Sequence, residues 1–210
     1  MNIIEVEMDI VLATKNRKKV EEIKKIFGVM GTVSRIYTLD DFPDYGEVVE
    51  DGDTFEANAV KKALYVSKCT GMTALADDSG LEVEALNGEP GVFSARYAGE
   101  SADDRANLEK LLKEMAAVPS GKREARFVCC IAMASQGEVE TFTGYVEGTI
   151  GTESRGMNGF GYDPVFFPKG HDRTFAEMND NEKNVLSHRG EALGKLQKHM
   201  LEKRGYIRGF

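Results

Sequence analysis

Residues 124–150, EARFVCCIAMASQGEVETFTGYVEGTI, constrain the fold more than any other stretch of the chain. They read as two long strands, EARFVCCIAMAS and EVETFTGYVEGTI, separated by the turn residues Gln136 and Gly137, and the spacing predicts an antiparallel hairpin. The beginning of the chain asks for something else. MDIVLAT reads as a buried first strand, followed by a helix over NRKKVEEIKKIFGVM with Val20, Ile23, Ile26 and Phe27 on one face. A strand, tight turn and helix suit a parallel crossover, whereas a long hairpin does not. Both in one chain point to an α/β fold around a mixed sheet rather than a purely parallel doubly wound one.

The remaining stretches fit between these anchors. TFEANAVKKALYVSKCTG reads as a helix, with Asp53 and Glu56 at the spacing of a capping pair and Gly71 at its end. MTALA and LEVEAL read as strands flanking DDSG, and SADDRANLEKLLKEMAAV as a helix closed by Pro119. NGFGYDPVFFPKG reads as a Gly-rich aromatic loop, EMNDNEKN as a polar loop, and SHRGEALGKLQKHMLEKRG as a last helix. No internal repeat or Pro/Ser-rich linker interrupts the chain, so residues 1–210 are taken as one domain, with room for a second lobe.

Composition excludes several classes of function. A chain of 210 residues, 41% hydrophobic and 30% charged, can bury a sizeable core. Its formal charge of −8 argues against a broad basic face for a nucleic-acid polymer, so any anion site must be local. The apolar runs fall short of the roughly 18 residues of a membrane helix, and the acidic N-terminal stretch is unlike a signal peptide. A cytoplasmic protein is expected. Cys69, Cys129 and Cys130 read as buried reduced thiols, and His171, His188 and His199 are too scattered to suggest zinc.

Five clusters carry possible chemistry. In LATKNRKKVEEI, Lys15, Arg17, Lys18 and Lys19 crowd a helix start, where the helix dipole disfavours cations; an anion held there would resolve the conflict, as would simple solvation. In EDGDTFEANAVKKA, Asn58 and Lys62 stand four apart on one helical face, with Glu50 upstream as a loop acid or metal ligand. Asp77 and Asp78 in DDSG are either a solvated turn or hard oxygen ligands for Mg²⁺, which takes one or two carboxylates and leaves other positions to water and phosphates. In NGFGYDP, the glycines permit close approach to a ligand, Phe160 or Tyr162 could stack on a base, and Asp163 could accept from base N–H groups. In EKNVLSHRGEAL, Ser187 is a good N-cap that puts His188 and Arg189 in a first helical turn, where their donors would suit a base carbonyl.

These motifs, in this order and over nearly the whole chain, resemble those of the inosine/xanthosine triphosphate pyrophosphatases: LATKNRKKVEEI, TFEANAVKKA, ADDSGL, PGVFSARYAG, GFGYDP and KNVLSHRGEAL. Lys15 stands where that family usually has Gly, and Asn158 where it often has Gly. The resemblance implies an elongated mixed sheet flanked by helices in two lobes, with the nucleotide in the cleft between them, and a homodimer. It implies that Thr14, Lys15, Asn16, Arg17, Lys18 and Lys19 form a substrate loop. Asp78 falls on the catalytic and metal-binding position, beside Asp77, with Ser79 touching substrate and Glu50 and Lys62 at further active-site positions. Phe160, Gly161, Tyr162 and Asp163 correspond to the base pocket, and Lys183, His188 and Arg189 to contacts near the 6-oxo group. The implied activity is Mg²⁺-dependent hydrolysis of deaminated purine nucleoside triphosphates (ITP, dITP, XTP) to monophosphate and pyrophosphate. The alternatives are a pyrophosphatase for modified pyrimidine nucleotides and a nucleotide-binding sensor without catalysis.

Overall fold

The computed structural model describes residues 8–30, 35–42, 46 and 48–203, the side chains of residues 29 and 30 excepted. The acidic N-terminal stretch before Met8, part of the loop ahead of Glu50 and the C-terminal RGYIRGF lie outside the described residues. Among the described residues, six strands are β1 (Asp9–Leu12), β2 (Arg35–Thr38), β3 (Thr73–Val83), β4 (Glu124–Ser135), β5 (Glu138–Ile150) and β6 (Phe166–Pro168). Five helices are α1 (Arg17–Met30), α2 (Phe55–Thr70), α3 (Asp104–Glu114), α4 (Asp180–Leu186) and α5 (His188–Lys203). The strands form one sheet in the order β2-β1-β3-β4-β5-β6. Val11 of β1 lies opposite Tyr37 of β2 and Ala74 of β3, both in parallel pairs, and Thr149 of β5 lies opposite Phe167 of β6 in an antiparallel pair. The sheet is mixed, as the two kinds of connection in the sequence require.

The hairpin closes where the sequence places it. Gln136 and Gly137 have φ of 52° and 89°, the left-handed values at both central positions that mark the type I′ turn, whose twist matches that of the strands it joins. Helix α1 buries Ile23, Ile26 and Phe27. Helix α2 buries Phe55, Ala59, Ala63 and Val66, the predicted apolar stripe. Cys69, in the last turn of α2, is exposed, and Cys129 and Cys130 are buried as expected.

The residues cluster into two compact units. The first comprises Met1–Asp78, Cys130–Thr143 and Ala192–Phe210, the second Ser79–Cys129 and Gly144–Glu191. In the second, a core of Leu81, Leu111, Met115, Phe127, Phe166 and Phe175 underlies the loops, with Phe127 and Phe166 in a tilted aromatic contact at 4.7 Å. Arg123 is buried in this unit, and its guanidinium donates to the carbonyls of Met115, Val118, Ile150 and Gly151.

Several elements differ from the sequence expectation. DDSG is not a turn between two strands: β3 runs unbroken from Thr73 to Val83 with Gly80 in its interior, and residues 84–86 leave it as a 3-10 turn. Aspartates disfavour strand interiors, but here each meets a lysine. The cap of α2 is Thr54, whose hydroxyl accepts from Ala57 N at 3.1 Å, rather than Asp53. The predicted α3 helix ends at Glu114, short of Pro119. EMNDNEKN is largely helical: Asn179 and Glu182 form a reciprocal capping box that starts α4. Within the aromatic loop, Phe166–Pro168 adds the edge strand β6.

Candidate active site

The first unit gathers two lysines and three carboxylates. Helix α1 begins at an Asx cap, with Asn16 Oδ1 accepting from the N–H groups of Lys18 and Lys19 at 3.0 and 3.2 Å and Thr14 Oγ1 accepting from Asn16 N at 3.2 Å. This cap fixes the helix start and sends Lys19 toward β3, where its Nζ lies 2.5 Å from Asp77 Oδ1. Lys15, Arg17 and Lys18 are exposed around the same turn. From α2, Lys62 Nζ donates to the carbonyl oxygen of Asp77 at 2.9 Å and to Asp78 Oδ1 at 3.1 Å, and reaches Glu50 Oε2 at 3.2 Å. Asn58, one turn earlier, ties down the loop that carries Glu50: its Oδ1 accepts from Gly52 N at 2.8 Å and its Nδ2 donates to Gly52 O at 3.4 Å. Shared helical spacing therefore gives Asn58 a holding role and Lys62 an electrostatic one.

Burial makes this cluster unusual. Asp77 and Asp78 are 1% and 7% exposed. Desolvation pushes the Asp78 carboxyl up to about 6 despite the attraction of Lys62 and Lys19, with the neighbouring charge of Glu50 adding to the rise. Burial acts in the same sense on Glu50, but Lys62, a hydrogen bond with Asp78 and the charge of Lys19 hold it below the ordinary glutamate range. Burial works against the Lys62 ammonium, yet Asp78, Glu50 and Asp77 together raise its pKa. The arrangement is a set of hard oxygen donors with like charges crowded together, backed by two cations.

The second unit holds a different cluster. Ser79, the residue after Asp78 in β3, accepts from Arg189 Nη2 at 2.9 Å. Ser187 ends α4 and caps α5, its Oγ accepting from Gly190 N at 3.0 Å, so His188 and Arg189 open α5 as the sequence predicts. Arg189 is 1% exposed. The His188 ring stacks on Phe127 with centroids 4.8 Å apart and planes 10° from parallel, which covers one of its faces. Asp163 Oδ2 accepts from Lys183 Nζ at 2.7 Å and from Phe160 N at 2.8 Å. The tightness of this turn explains Gly159: at φ 73°, an added Cβ would lie 2.1 Å from Asp163 Oδ2. The Phe160 ring has Lys183 Nζ at 4.8 Å and Arg189 Cζ at 5.8 Å from its centre.

Of the two aromatic candidates for stacking, Tyr162 is 4% exposed and its hydroxyl donates to Ser94 O at 2.8 Å, so it braces the loop from within, and Phe160 is the more accessible ring. Gly161 N donates to Asp104 at the start of α3. Sequence reasoning assigned nothing to Asn58 beyond its face, and nothing to Ser94, Asp104 or Arg123. For Ser94, the quoted stretch PGVFSARYAG marked the place without revealing that its hydroxyl would accept from Leu81 N in β3 at 2.9 Å.

The chain is similar to known proteins along most of its length. The chain is 50% identical over 192 residues to the dITP/XTP pyrophosphatase of Geobacter sulfurreducens, covering 91% of this chain and 96% of that one. It is 51% identical over 192 residues to the dITP/XTP pyrophosphatase of Bacillus licheniformis, covering 90% and 95% respectively. The solved structure of the Coxiella burnetii HAM1 protein matches with a TM-score of 0.83 at 41% identity, covering 93% of this chain and 99% of that one. That of the Staphylococcus aureus Ham1 protein matches with a TM-score of 0.81 at the same identity and coverage. The Ham1 family model matches residues 10–199. With nearly its whole length matched by that model and half-identical relatives along nine-tenths of it, the chain belongs to the Ham1 family.

Proposed function

We propose that the protein hydrolyses deaminated purine nucleoside triphosphates (ITP, dITP and XTP) to the nucleoside monophosphate and pyrophosphate. The observation that carries this reading is the buried Lys62–Asp78 pair with the half-buried Glu50 against it and Lys19 and Asp77 beside it. The names of the half-identical relatives support it. A binding protein has little use for two buried carboxylates that repel both each other and a triphosphate. An enzyme that activates water does.

The donor set fits Mg²⁺. Among the described residues, no three His, Cys, Asp or Glu side chains converge on one point, but Mg²⁺ is commonly held by one or two carboxylates together with substrate phosphates and water. Asp78 and Glu50 are hard oxygen donors whose mutual repulsion a dication would relieve, and they would hold it. When bound, the ion would supply charge neutralisation at the phosphate oxygens.

The protein's own groups do the rest. A carboxylate of the Glu50–Asp78 pair accepts a proton from the attacking water. The water oxygen bonds to the α-phosphorus as the bond from that phosphorus to the bridging oxygen breaks, and pyrophosphate departs with the electron pair. Lys19 and Lys62, already placed by Asp77 and Asp78, stabilise charge that grows on phosphate oxygens, which is usually the largest contribution such sites make. The exposed Lys15, Arg17 and Lys18 add a local attraction for the triphosphate.

In the second unit, Phe160 stacks on the base and Asp163 accepts from its N–H groups. Arg189 donates to the 6-oxo group. Adenine presents an amino donor at the same position, which would leave Arg189 badly matched. We further propose that the enzyme acts as a cytoplasmic homodimer. The test is to incubate the protein and Mg²⁺ with inosine, xanthosine, thymidine and the standard triphosphates. Monophosphate and pyrophosphate from the inosine and xanthosine substrates are expected. Preference for a pyrimidine substrate, or binding without turnover, would overturn the reading.

A further inference from the structure

The loop that meets the base is tethered from a residue outside the site. Phe160 and Asp163 are joined by a turn in which Gly161 has φ 58°, and Gly161 N donates to Asp104 Oδ2 at 3.1 Å. Asp104 is in the first turn of α3, where the helix dipole favours a carboxylate. Helix α3 is itself anchored: Asn107 Nδ2 donates to Ala95 O at 3.0 Å, and its Oδ1 accepts from Ala98 N at 2.7 Å. The same 91–98 stretch receives the Tyr162 hydroxyl at Ser94 O. The two middle residues of the Phe160–Asp163 turn are thus tied to one rigid support, Tyr162 through Ser94 and Gly161 through Asp104.

We propose that Asp104 is a positioning residue for base selectivity, acting through Gly161 to hold Phe160 and Asp163 where they discriminate one purine from another. This rests on the proposed reaction and deepens it. A turn held at both middle residues keeps the Phe160 ring at a fixed offset from Lys183 and Arg189. With the Asp104 bond removed, the turn gains freedom, and the base no longer meets Phe160, Asp163 and Arg189 in one geometry. The catalytic carboxylates are unaffected by this loss, so it should appear as weakened discrimination and a raised KM, with kcat for the preferred substrate nearly unchanged.

The experiment measures kcat and KM for inosine, adenosine and guanosine triphosphates with wild type, Asp104→Ala and Asp104→Asn. The ratio of kcat/KM values between substrates does not depend on how much of a variant is folded, so a stability loss cannot imitate the effect. Asp104→Ala is expected to lower the inosine-over-adenosine ratio by about three- to tenfold, as loss of one hydrogen bond to a charged group allows. Asp104→Asn, whose amide oxygen can accept the same N–H, should stay within about twofold of wild type. An unchanged ratio in Asp104→Ala would overturn the inference while leaving the proposed reaction standing. So would an Asn variant as impaired as the Ala variant. A wild type without preference for the deaminated purine would remove the reading itself and the inference with it.

Discussion

At the scale of single residues, Asp78 shows how burial and charge combine. Its folded-state value of about 6 is above the ordinary 3.8 because burial penalises the ionised form. A raised carboxyl favours the fold below its unfolded value, and that advantage is lost as pH rises from about 4 through about 6. Glu50, held below its ordinary 4.5, works oppositely: its contribution is present above that value and is lost as pH falls. In Mg²⁺-free buffer, Asp78→Asn removes the first effect, so the variant should gain stability on wild type by about 1–3 kcal/mol between pH 4 and pH 8. Chemical denaturation at the two pH values measures this, and a difference between the proteins that stays flat with pH would contradict the account. The sequence already marked Asp77, Asp78 and Lys62 as chemistry-bearing. It did not reveal that the aspartates sit inside a strand, because local turn propensity cannot register the lysines that approach from α1 and α2 and make that burial tolerable.

At the scale of elements, the site depends on helices held at close range. Gly190 lets α5 start against the end of α4: a Cβ there would lie 1.9 Å from the carbonyl oxygen of Asn184. Gly190→Ala should therefore move Lys183 and Arg189 apart, costing more than about 2 kcal/mol in thermal unfolding and raising KM for the inosine substrate. Near-wild-type stability and KM would show that the backbone yields more easily than this contact implies. Arg123 does comparable work for α3, β4 and β5. Arg123→Met removes a donor from four carbonyls, of which Met115 O keeps a second from Val118 N, and should cost about 3 kcal/mol, lowering Tm by roughly 6–12 °C. Long, periodic elements were legible: α2 from Phe55, Ala59, Ala63 and Val66, and the hairpin from Gln136 and Gly137. Helix α4 was not, since its seven residues carry too few apolar positions to show a period and only the Asn179–Glu182 pair announces its start. Strand β6 was hidden for a similar reason: three residues ending in proline read as loop until β5 supplies a partner.

At the scale of the whole molecule, the mixed sheet was predictable because a crossover unit and a long hairpin leave few other arrangements. Lys62 with Asp78, 16 residues apart, and Arg189 with Ser79, 110 apart, are pairings that only the folded chain creates. Ordered motifs could suggest them but local patterning could not. Each unit carries a cluster of its own, carboxylates and lysines in the first and an aromatic ring with buried polar donors in the second. The central claim is that the first cluster directs water to the α-phosphorus. Hydrolysis of inosine triphosphate in ¹⁸O-labelled water with Mg²⁺, followed by mass spectrometry of the products, tests this most directly. The account predicts one labelled oxygen in inosine monophosphate, unlabelled pyrophosphate, and almost no product from Asp78→Asn. Label in pyrophosphate, release of orthophosphate as the first product, or near-normal turnover by Asp78→Asn would contradict it.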